Sequence, residues 1–257
     1  MELSRIRMTA ENRVGHAFKL SKDSDWKNFR EFIEVANTHC NWIVLRNFEF
    51  LPDIFFENDK DVDVMCEDLD LFVTVMKLKK RLWGTAAYET IIDNKIVHFD
   101  VRFLGDGYYD KLWQYKMLKN KIYTLDGIPR MNDINYFYSL MYHCKVQKYT
   151  VKDEYKKRLK ELAVFVGLNM YQIKDIDSNK ISANFLNKFM KERHYTFCYP
   201  VDINVQNNNE FFRYLSVNIK KGVIYSIPKK TLMLGLVLKV AVKIIPRRVK
   251  VFLKKIF

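Results

Sequence analysis

The segment Asp61-Val62-Asp63-Val64-Met65-Cys66 decides how this chain is expected to fold. Its acidic and apolar residues alternate as in a β-strand, where successive side chains point to opposite faces of the sheet. Val62 and Val64 then enter a core, while Asp61 and Asp63 project together from the other face. Neighbouring carboxylates repel one another, and a divalent cation that prefers oxygen ligands, Mg²⁺ or Mn²⁺, relieves that repulsion. The alternative is an exposed strand or turn whose acids are solvated.

A second alternating segment covers residues 97–103. Its polar face carries His98, Asp100 and Arg102, and its other face is strongly apolar, which is typical of a strand that lines a cleft. Asp100 supplies a third carboxylate, and three acids can hold the two cations, about 3.5–4 Å apart, of a two-metal phosphoryl-transfer site. The alternative is an ion pair between Asp100 and Arg102 on the surface of an edge strand.

Hydrophobic periodicity around these strands predicts an α/β protein. The expected elements are a helix over 24–39, a strand over 42–45, a helix over 69–83, a hairpin of 87–92 with 96–104, and helices over 134–144, 151–166 and 181–193. We therefore expect three parts: a core over 1–128 with a mixed sheet and flanking helices, a mostly helical second domain over 129–228, and a C-terminal tail over 229–257.

Charge is distributed unevenly along the 257 residues. The chain has 44 Lys and Arg against 30 Asp and Glu, a net charge of +14, yet residues 211–257 hold twelve Lys and Arg and no acid. The rest of the chain carries only +2, the difference between +14 and +12, so we expect no nucleic-acid partner, which would favour a basic face on the folded body.

The tail has the pattern of a basic amphipathic helix. Its stripe of cations is Lys239, Lys243, Arg247, Lys250 and Lys254, which fall within one helical sector. Such a helix lies in the interface of an anionic membrane. The alternatives are a helix packed on the body or an oligomer contact.

The other sequence features favour a cytosolic protein. The N-terminus lacks the apolar centre of a signal peptide, and no window approaches the roughly 20 apolar residues of a membrane-spanning helix. The four cysteines form no CxxC pair and no metal-ligand spacing, and are expected to be reduced, buried thiols. Together with the tail, this predicts a cytoplasmic protein that associates peripherally with the inner face of the membrane.

The two acidic segments resemble the signature of the nucleotidyltransferase superfamily. In that signature a Gly-Gly or Gly-Ser pair is followed, after about nine to thirteen residues, by Asp-hydrophobic-Asp-hydrophobic, with a third Asp on a later strand. Residues 61–64 match the second element and Asp100 is well placed for the third. The first element is degenerate, because Leu45-Arg46-Asn47 stands in its place, with thirteen residues between Asn47 and Asp61. The chain looks closest to a divergent branch that serves bacterial surface polysaccharides, related to choline-phosphotransferases and the fukutin group.

The resemblance implies a metal-dependent transferase that moves a nucleotidyl or phosphate-linked group from a nucleotide-activated donor to a hydroxyl of a glycan or lipid-linked glycan. The catalytic residues and the ligands of Mg²⁺ or Mn²⁺ would be Asp61, Asp63 and Asp100. The residues expected to bind the donor phosphates are Arg46, Asn47, Lys60 and Arg102. Those expected to contact the acceptor or a phosphate are His98, Asp106, His143 and Lys148.

Two other classes of function stay open at the level of sequence. An Asp-x-Asp glycosyltransferase binds the metal of a nucleotide-sugar and needs no third carboxylate on a neighbouring strand. A degenerate fold that acts as a binding or scaffold protein would account for the missing Gly-Ser pair. His143 also has a purely structural reading, and the Gly105-Asp106-Gly107 segment can be a tight turn and nothing more.

Overall fold

The structure is a computed structural model that describes residues 26–52, 61–81, 86–148, 151–169, 175–199, 205, 208–215 and 220–221. Within those ranges the fold is α/β, as predicted, and is built around a seven-stranded mixed sheet. The strands of this sheet are β1 (Trp42–Val44), β2 (Val62–Cys66), β3 (Lys79–Lys80), β4 (Ala87–Ile92), β5 (Lys95–Phe103), β6 (Ile122–Tyr123) and β7 (Pro129–Arg130).

The strands are arranged in the order β3-β4-β5-β2-β1-β7-β6. β2 runs parallel to β5 and antiparallel to β1, so the two acidic segments are direct neighbours in the middle of the sheet. A separate two-stranded sheet pairs β8 (Cys198–Tyr199) with β9 (Lys220–Lys221). The helices of the described residues are α1 (Phe29–His39), α2 (Leu69–Val75), α3 (Lys111–Lys119), α4 (Asp133–Val146), α5 (Asp153–Phe165), α6 (Asn179–Glu192) and α7 (Asn209–Phe212).

Helix α1 covers the apolar side of β5. The Asn28 side chain caps it by accepting a hydrogen bond from the Glu31 amide, and the Glu31 carboxylate accepts one from the Lys27 amide. Its apolar residues are buried, and the Phe32 ring stacks on the Phe99 ring with centroids 5.1 Å apart. Since side chains alternate along β5, burying Phe99 under α1 turns Asp100 to the opposite face of the sheet.

The later helices enclose that opposite face. Most residues of α4 are buried, including polar ones such as His143, as expected for a helix surrounded by other elements. α5 and α6 both pack on α4. The hydrophobic core runs from the sheet into these helices as one cluster. The four cysteines are buried and unpaired, as predicted.

The structure confirms most predicted elements, shortens two and adds one. The helix expected over 24–39 begins only at Phe29, because Trp26 forms a β-bridge with Ile92. The predicted helix over 69–83 is wrong beyond Val75, because the chain turns at Lys77, where φ is +54°, and then forms β3. α3 was missed, because the exposed apolar residues Leu112 and Tyr115 obscure the helical spacing of the buried Trp113, Met117 and Leu118. Its start is fixed by the Asp110 carboxylate, which accepts hydrogen bonds from the amides of Leu112 and Trp113.

The predicted partition into parts stays a prediction. Immediately after the proposed boundary at residue 128, β7 pairs with β1 and extends the same sheet. The tail over 229–257 lies outside the described residues. Among the helices that are described, none is long and apolar enough to cross a membrane.

Candidate active site

Two carboxylates lie side by side in the middle of the sheet. In the register of β2 with β5, Asp63 pairs with Asp100, and the flanking pairs are Val62 with Phe99 and Val64 with Val101. Adjacent strands lie about 4.7–4.9 Å apart, and paired residues of parallel strands share a face. The prediction that Asp63 and Asp100 project together is therefore confirmed.

Asp61 lies at the rim of the same face. It precedes β2, and its side chain is 55% exposed. Its carboxylate is 3.7 Å from Nη1 of Arg81 and 3.8 Å from Nδ1 of His98. His98 is also 3.9 Å from Glu89, so this histidine stands between two acids at the edge of the site.

A buried arginine neutralises Asp63. Arg46 follows β1, where the Leu45 amide donates to the Asp63 carbonyl and holds the two segments together at 2.8 Å. The Arg46 side chain is 6% exposed, and its Nη2 donates to Oδ1 of Asp63 at 2.5 Å. Its Nε and Nη1 are buried without a hydrogen-bond partner among the described residues. Arg46 lines the cleft and thus keeps two nitrogen atoms that its pair with Asp63 does not use.

Burial and charge act on this pair in opposite senses. Burial lowers the pKa of Arg46, but the Asp63 carboxylate and nearby tyrosines outweigh it and hold the pKa well above its ordinary value. Burial raises the pKa of Asp63, Arg46 opposes that rise, and the neighbouring Asp100 adds to it. The guanidinium is therefore a permanent cation, and Asp63 depends on it to remain ionised.

A second arginine is paired with Asp100. Nη2 of Arg102 is 3.1 Å from Oδ2 of Asp100, and the guanidinium lies 4.1 Å above the Tyr108 ring, a cation–π contact. Oδ1 of Asp100 is buried and has no hydrogen-bond partner in the described part of the chain. An unsatisfied carboxylate oxygen beside Asp63 is a position from which a cation can be bound.

A buried polar cluster supports Tyr108 from α4. The Tyr108 hydroxyl is 3.2 Å from Nδ1 of His143, which is 3.3 Å from Oε1 of Gln147, and the Gln147 amide donates to the Tyr108 carbonyl at 2.9 Å. Burial lowers the pKa of His143 well below its ordinary value, and the positive charges of Arg46 and Lys148 lower it further. His143 is therefore a neutral hydrogen-bonding group at pH 7.

These groups surround a polar cleft of about 600 Å³. Its walls bring together residues from both strands, from α4 and from the start of α5, where the Tyr155 side chain is hydrogen-bonded with Asn47. The charged residues that line it are the cations Arg46, Arg81, Arg102, Lys148 and Lys152 and the acids Asp61, Asp63, Asp100 and Glu154. Positive and negative groups are nearly balanced, which suits a ligand that carries charges of both signs.

The structure brings together most of the predicted site residues. Those that line the cleft are Asp61, Asp63, Asp100, Arg46, Asn47, Arg102, His143 and Lys148. His98 stands behind Asp61. Asp106 is not among the residues that line the cleft. Its carboxylate stabilises the turn instead, by accepting hydrogen bonds from the Phe103 and Tyr108 amides and the Gln114 side chain. Gly105 and Gly107 have the positive φ that this turn requires. Lys60 lies outside the described residues.

Sequence reasoning missed part of the cleft. The missed lining residues with polar side chains are Arg81, Tyr108, Gln147, Lys152, Glu154 and Tyr155. No motif marks them, because they converge from four separate segments. One signal was available: a Tyr directly after a Gly-Asp-Gly turn beside an acidic strand is well placed to support that strand's polar face.

The residues fit a cation that arrives with a phosphate. No group of three or more His, Cys, Asp or Glu is placed to hold a metal ion in the part of the chain that the structure describes. Mg²⁺, however, is commonly bound by one or two carboxylates together with the phosphates of a substrate. Asp63 and the unsatisfied Oδ1 of Asp100 supply that smaller set, and the two-metal site with Asp61 stays a prediction.

Comparisons of this chain with protein-family models, curated proteins and solved structures found no match. The resemblance to nucleotidyltransferases therefore rests on the acidic segments of the sequence and stays a prediction.

Proposed function

We propose that this protein is a metal-dependent transferase that moves a nucleotidyl or phosphate-linked group from a nucleotide-activated donor to a hydroxyl. The observation that carries this proposal is the register of Asp63 with Asp100 at the floor of a cleft lined by cations. An Asp-x-Asp glycosyltransferase would leave Asp100 without a role, so the paired strands favour the nucleotidyltransferase type.

Each side of the cleft has a distinct task in this proposal. Asp63 and Asp100, with Asp61 at the rim, would hold Mg²⁺ or Mn²⁺, which when bound neutralises charge on the donor phosphates. Arg46 and Arg102 present guanidinium groups from the floor. Lys148 and Lys152 add positive charge from the opposite wall, and these cations orient the phosphates and stabilise the charge that develops at phosphorus.

The acceptor is proposed to be a glycan or lipid-linked glycan in surface polysaccharide synthesis. Support comes from the twelve uncompensated positive charges of residues 211–257, which suit an anionic membrane surface where such an acceptor would lie. The protein would then work at the cytoplasmic face of the membrane.

A non-catalytic binding protein is the second candidate, and one observation favours it. Both acids on the floor already have an arginine partner, so the cleft can bind a phosphorylated ligand without any metal. Metal-dependent turnover separates the two candidates, since a binding protein would take up the ligand and leave it unchanged.

The first experiment screens donors by thermal shift. CDP-, UDP- and triphosphate ligands are tested with Mg²⁺, and at a concentration of 100 Kd the right donor is expected to stabilise the protein by about 2.7 kcal/mol. At roughly 2–4 °C per kcal/mol, the melting temperature should rise by about 5–10 °C.

Variants then test whether the acids catalyse the transfer. Asp63→Asn and Asp100→Asn are expected to reduce turnover of the identified donor about 100-fold or more, because they remove metal-held charge stabilisation. Asp126→Asn is the matched control, since Asp126 is half exposed and its ion pair is with Arg30. Retention of more than about a tenth of wild-type turnover by both cleft variants would contradict the proposal.

A further inference from the structure

The pairing of acids with arginines has a consequence for how the cleft takes up a cation. A bare divalent cation that approaches Asp63 meets a carboxylate whose charge a buried guanidinium already compensates. Asp100 is compensated in the same way by Arg102. The attraction that two neighbouring carboxylates would normally exert on a cation is therefore largely cancelled on this floor.

The same arginine is incompletely satisfied. Arg46 lines the cleft and makes its ion pair through Nη2, while its Nε and Nη1 are buried without a partner among the described residues. A buried donor that lacks a partner is unfavourable, and a phosphate oxygen is a strong acceptor for guanidinium N–H groups. A phosphate-bearing ligand can therefore bind to donors that Asp63 does not use.

We propose that Arg46 makes the binding of a phosphate oxyanion and the binding of a divalent cation to this cleft mutually dependent. When the oxyanion takes up the charge of Arg46, Asp63 is no longer compensated and regains its attraction for the cation. When the cation occupies Asp63 and Asp100, Arg46 loses its counter-ion and attracts the oxyanion more strongly. This inference rests on the proposed function and adds a rule of binding to it: the cleft takes the phosphate and the metal as a pair.

Thermodynamic linkage makes the effect reciprocal. If the oxyanion raises the affinity for the cation by some factor, the cation raises the affinity for the oxyanion by the same factor, and such factors commonly lie between about 5 and 150. Free phosphate alone and free metal alone should both bind weakly to the wild-type protein.

The test measures Mn²⁺ binding by the decrease in the electron paramagnetic resonance signal of the free ion. Titrations use the full chain without additions, with CDP, with pyrophosphate and with cytidine, after correction for Mn²⁺–anion complexes measured without protein. Mn²⁺ affinity is expected to rise at least 5-fold with CDP and with pyrophosphate, and to stay unchanged with cytidine, which has no phosphate. Calorimetry of CDP with and without Mg²⁺ should give a matching factor.

Two variants of Arg46 separate its charge from its extra donors. Arg46→Met removes both the compensating charge and the guanidinium donors, so the Mn²⁺ affinity of this variant should respond to CDP at least 5-fold less than that of wild type. Arg46→Lys keeps a charge near Asp63 but replaces the planar guanidinium fork with a single ammonium group, so Mn²⁺ alone should still bind weakly, and the gain from CDP should shrink. Arg130→Met is the control: it removes one charge from a partly buried arginine that does not line the cleft and whose ion pair is with Asp133, so it should respond to CDP as wild type does.

The possible outcomes distinguish the mutual dependence of anion and cation binding from the proposed transferase function. Tight Mn²⁺ binding by the wild-type protein without an anion, or equal responses of Arg46→Lys and wild type to CDP, overturns the dependence while leaving the proposed transferase intact. A loss of the CDP response in Arg130→Met equal to that in Arg46→Met shows a general charge effect and also overturns it. If neither CDP nor pyrophosphate changes Mn²⁺ binding and neither anion binds, both this inference and the proposed function fail.

Discussion

Replacing Arg46 with methionine is expected to reduce the free energy of unfolding by about 3–4 kcal/mol at pH 7. The variant leaves the Asp63 carboxylate without its cation beside a second acid, and breaking a buried ion pair from one side costs about 3–5 kcal/mol. This loss of stability cannot exceed the free energy needed to protonate Asp63, because the protonated carboxyl carries no uncompensated charge. At about 1.4 kcal/mol per pH unit, neutralising a carboxyl of ordinary pKa about 3.9 at pH 7 costs roughly 4 kcal/mol.

Because protonation of Asp63 limits the deficit, that is, the difference in the free energy of unfolding between wild type and Arg46→Met, the deficit depends on pH. The variant raises the pKa of folded Asp63 further above its value in the unfolded chain, so the protonated form is favoured in the fold. For a carboxyl with a raised pKa, stability is greatest below the unfolded pKa and is lost as the pH rises through the folded pKa. The deficit relative to wild type should therefore fall to about 1.5 kcal/mol at pH 5, near the ordinary Asp pKa of about 3.9.

Urea unfolding of wild type and variants at pH 7 and pH 5 measures these differences. The control is Arg30→Met, because the pair of Arg30 with Asp126 is 62% and 49% exposed and should contribute at most about 1 kcal/mol at either pH. The double variant Arg46→Met/Asp63→Asn should recover most of the lost stability, because it removes the uncompensated charge. A deficit for Arg46→Met no larger than that of the control, or the same at both pH values, would show that Arg46 does not compensate a buried Asp63 carboxylate.

Three further predictions concern other parts of the chain. Burial lowers the pKa of His143, so below about pH 6.5 the unfolded chain binds a proton that the folded protein does not, and wild type loses stability as the pH falls. His143→Gln should lose less stability than wild type over this range, and paired urea titrations from pH 8 to 5 measure the difference. Burial raises the pKa of Tyr108 to about 12, so the stability that its protonated hydroxyl contributes is lost between pH 10 and 12. Tyr108→Phe should be about 1 kcal/mol less stable than wild type at pH 7, and this difference in the free energy of unfolding should disappear over that range. Deleting residues 229–257 should abolish sedimentation with anionic vesicles at low salt, where each basic residue contributes about 1 kcal/mol. An intact chain that does not sediment with anionic vesicles at low salt would contradict the membrane assignment.

The central sheet was predictable from local pattern. The alternation of polar and apolar residues in 61–66 and 97–103 indicates which side chains are buried, because the apolar face of a strand packs against another element. Once the two strands are adjacent, it follows that Asp63 and Asp100 share a face of the sheet. Neither segment alone indicates that the two strands are adjacent in the sheet. The resemblance to a known signature predicted this adjacency, and the parallel register of β2 with β5 confirms it.

The partners of the acids were not predictable in the same way. Arg46 is seventeen residues before Asp63, and their contact depends on how the chain leaves β1 and returns along β2. Sequence reasoning assigned Arg46 to phosphate alone, since a motif shows which residues are present and not which of them neutralise each other. The far wall, with Lys152 and Tyr155, comes from packing of α5 on α4, which no local period encodes.

The arginines also explain how the sheet holds two adjacent acids in its middle. Burying a carboxylate without a partner costs several kcal/mol, and two of them in register would repel as well. Arg46 and Arg102 remove both penalties, so the floor is stable without a bound cation. A floor that is already balanced gains little from a lone phosphate or a lone metal ion, because either one replaces an existing pair with another. A ligand that brings phosphate and cation together leaves every charge matched, which is why the cleft should discriminate for the complex over its components.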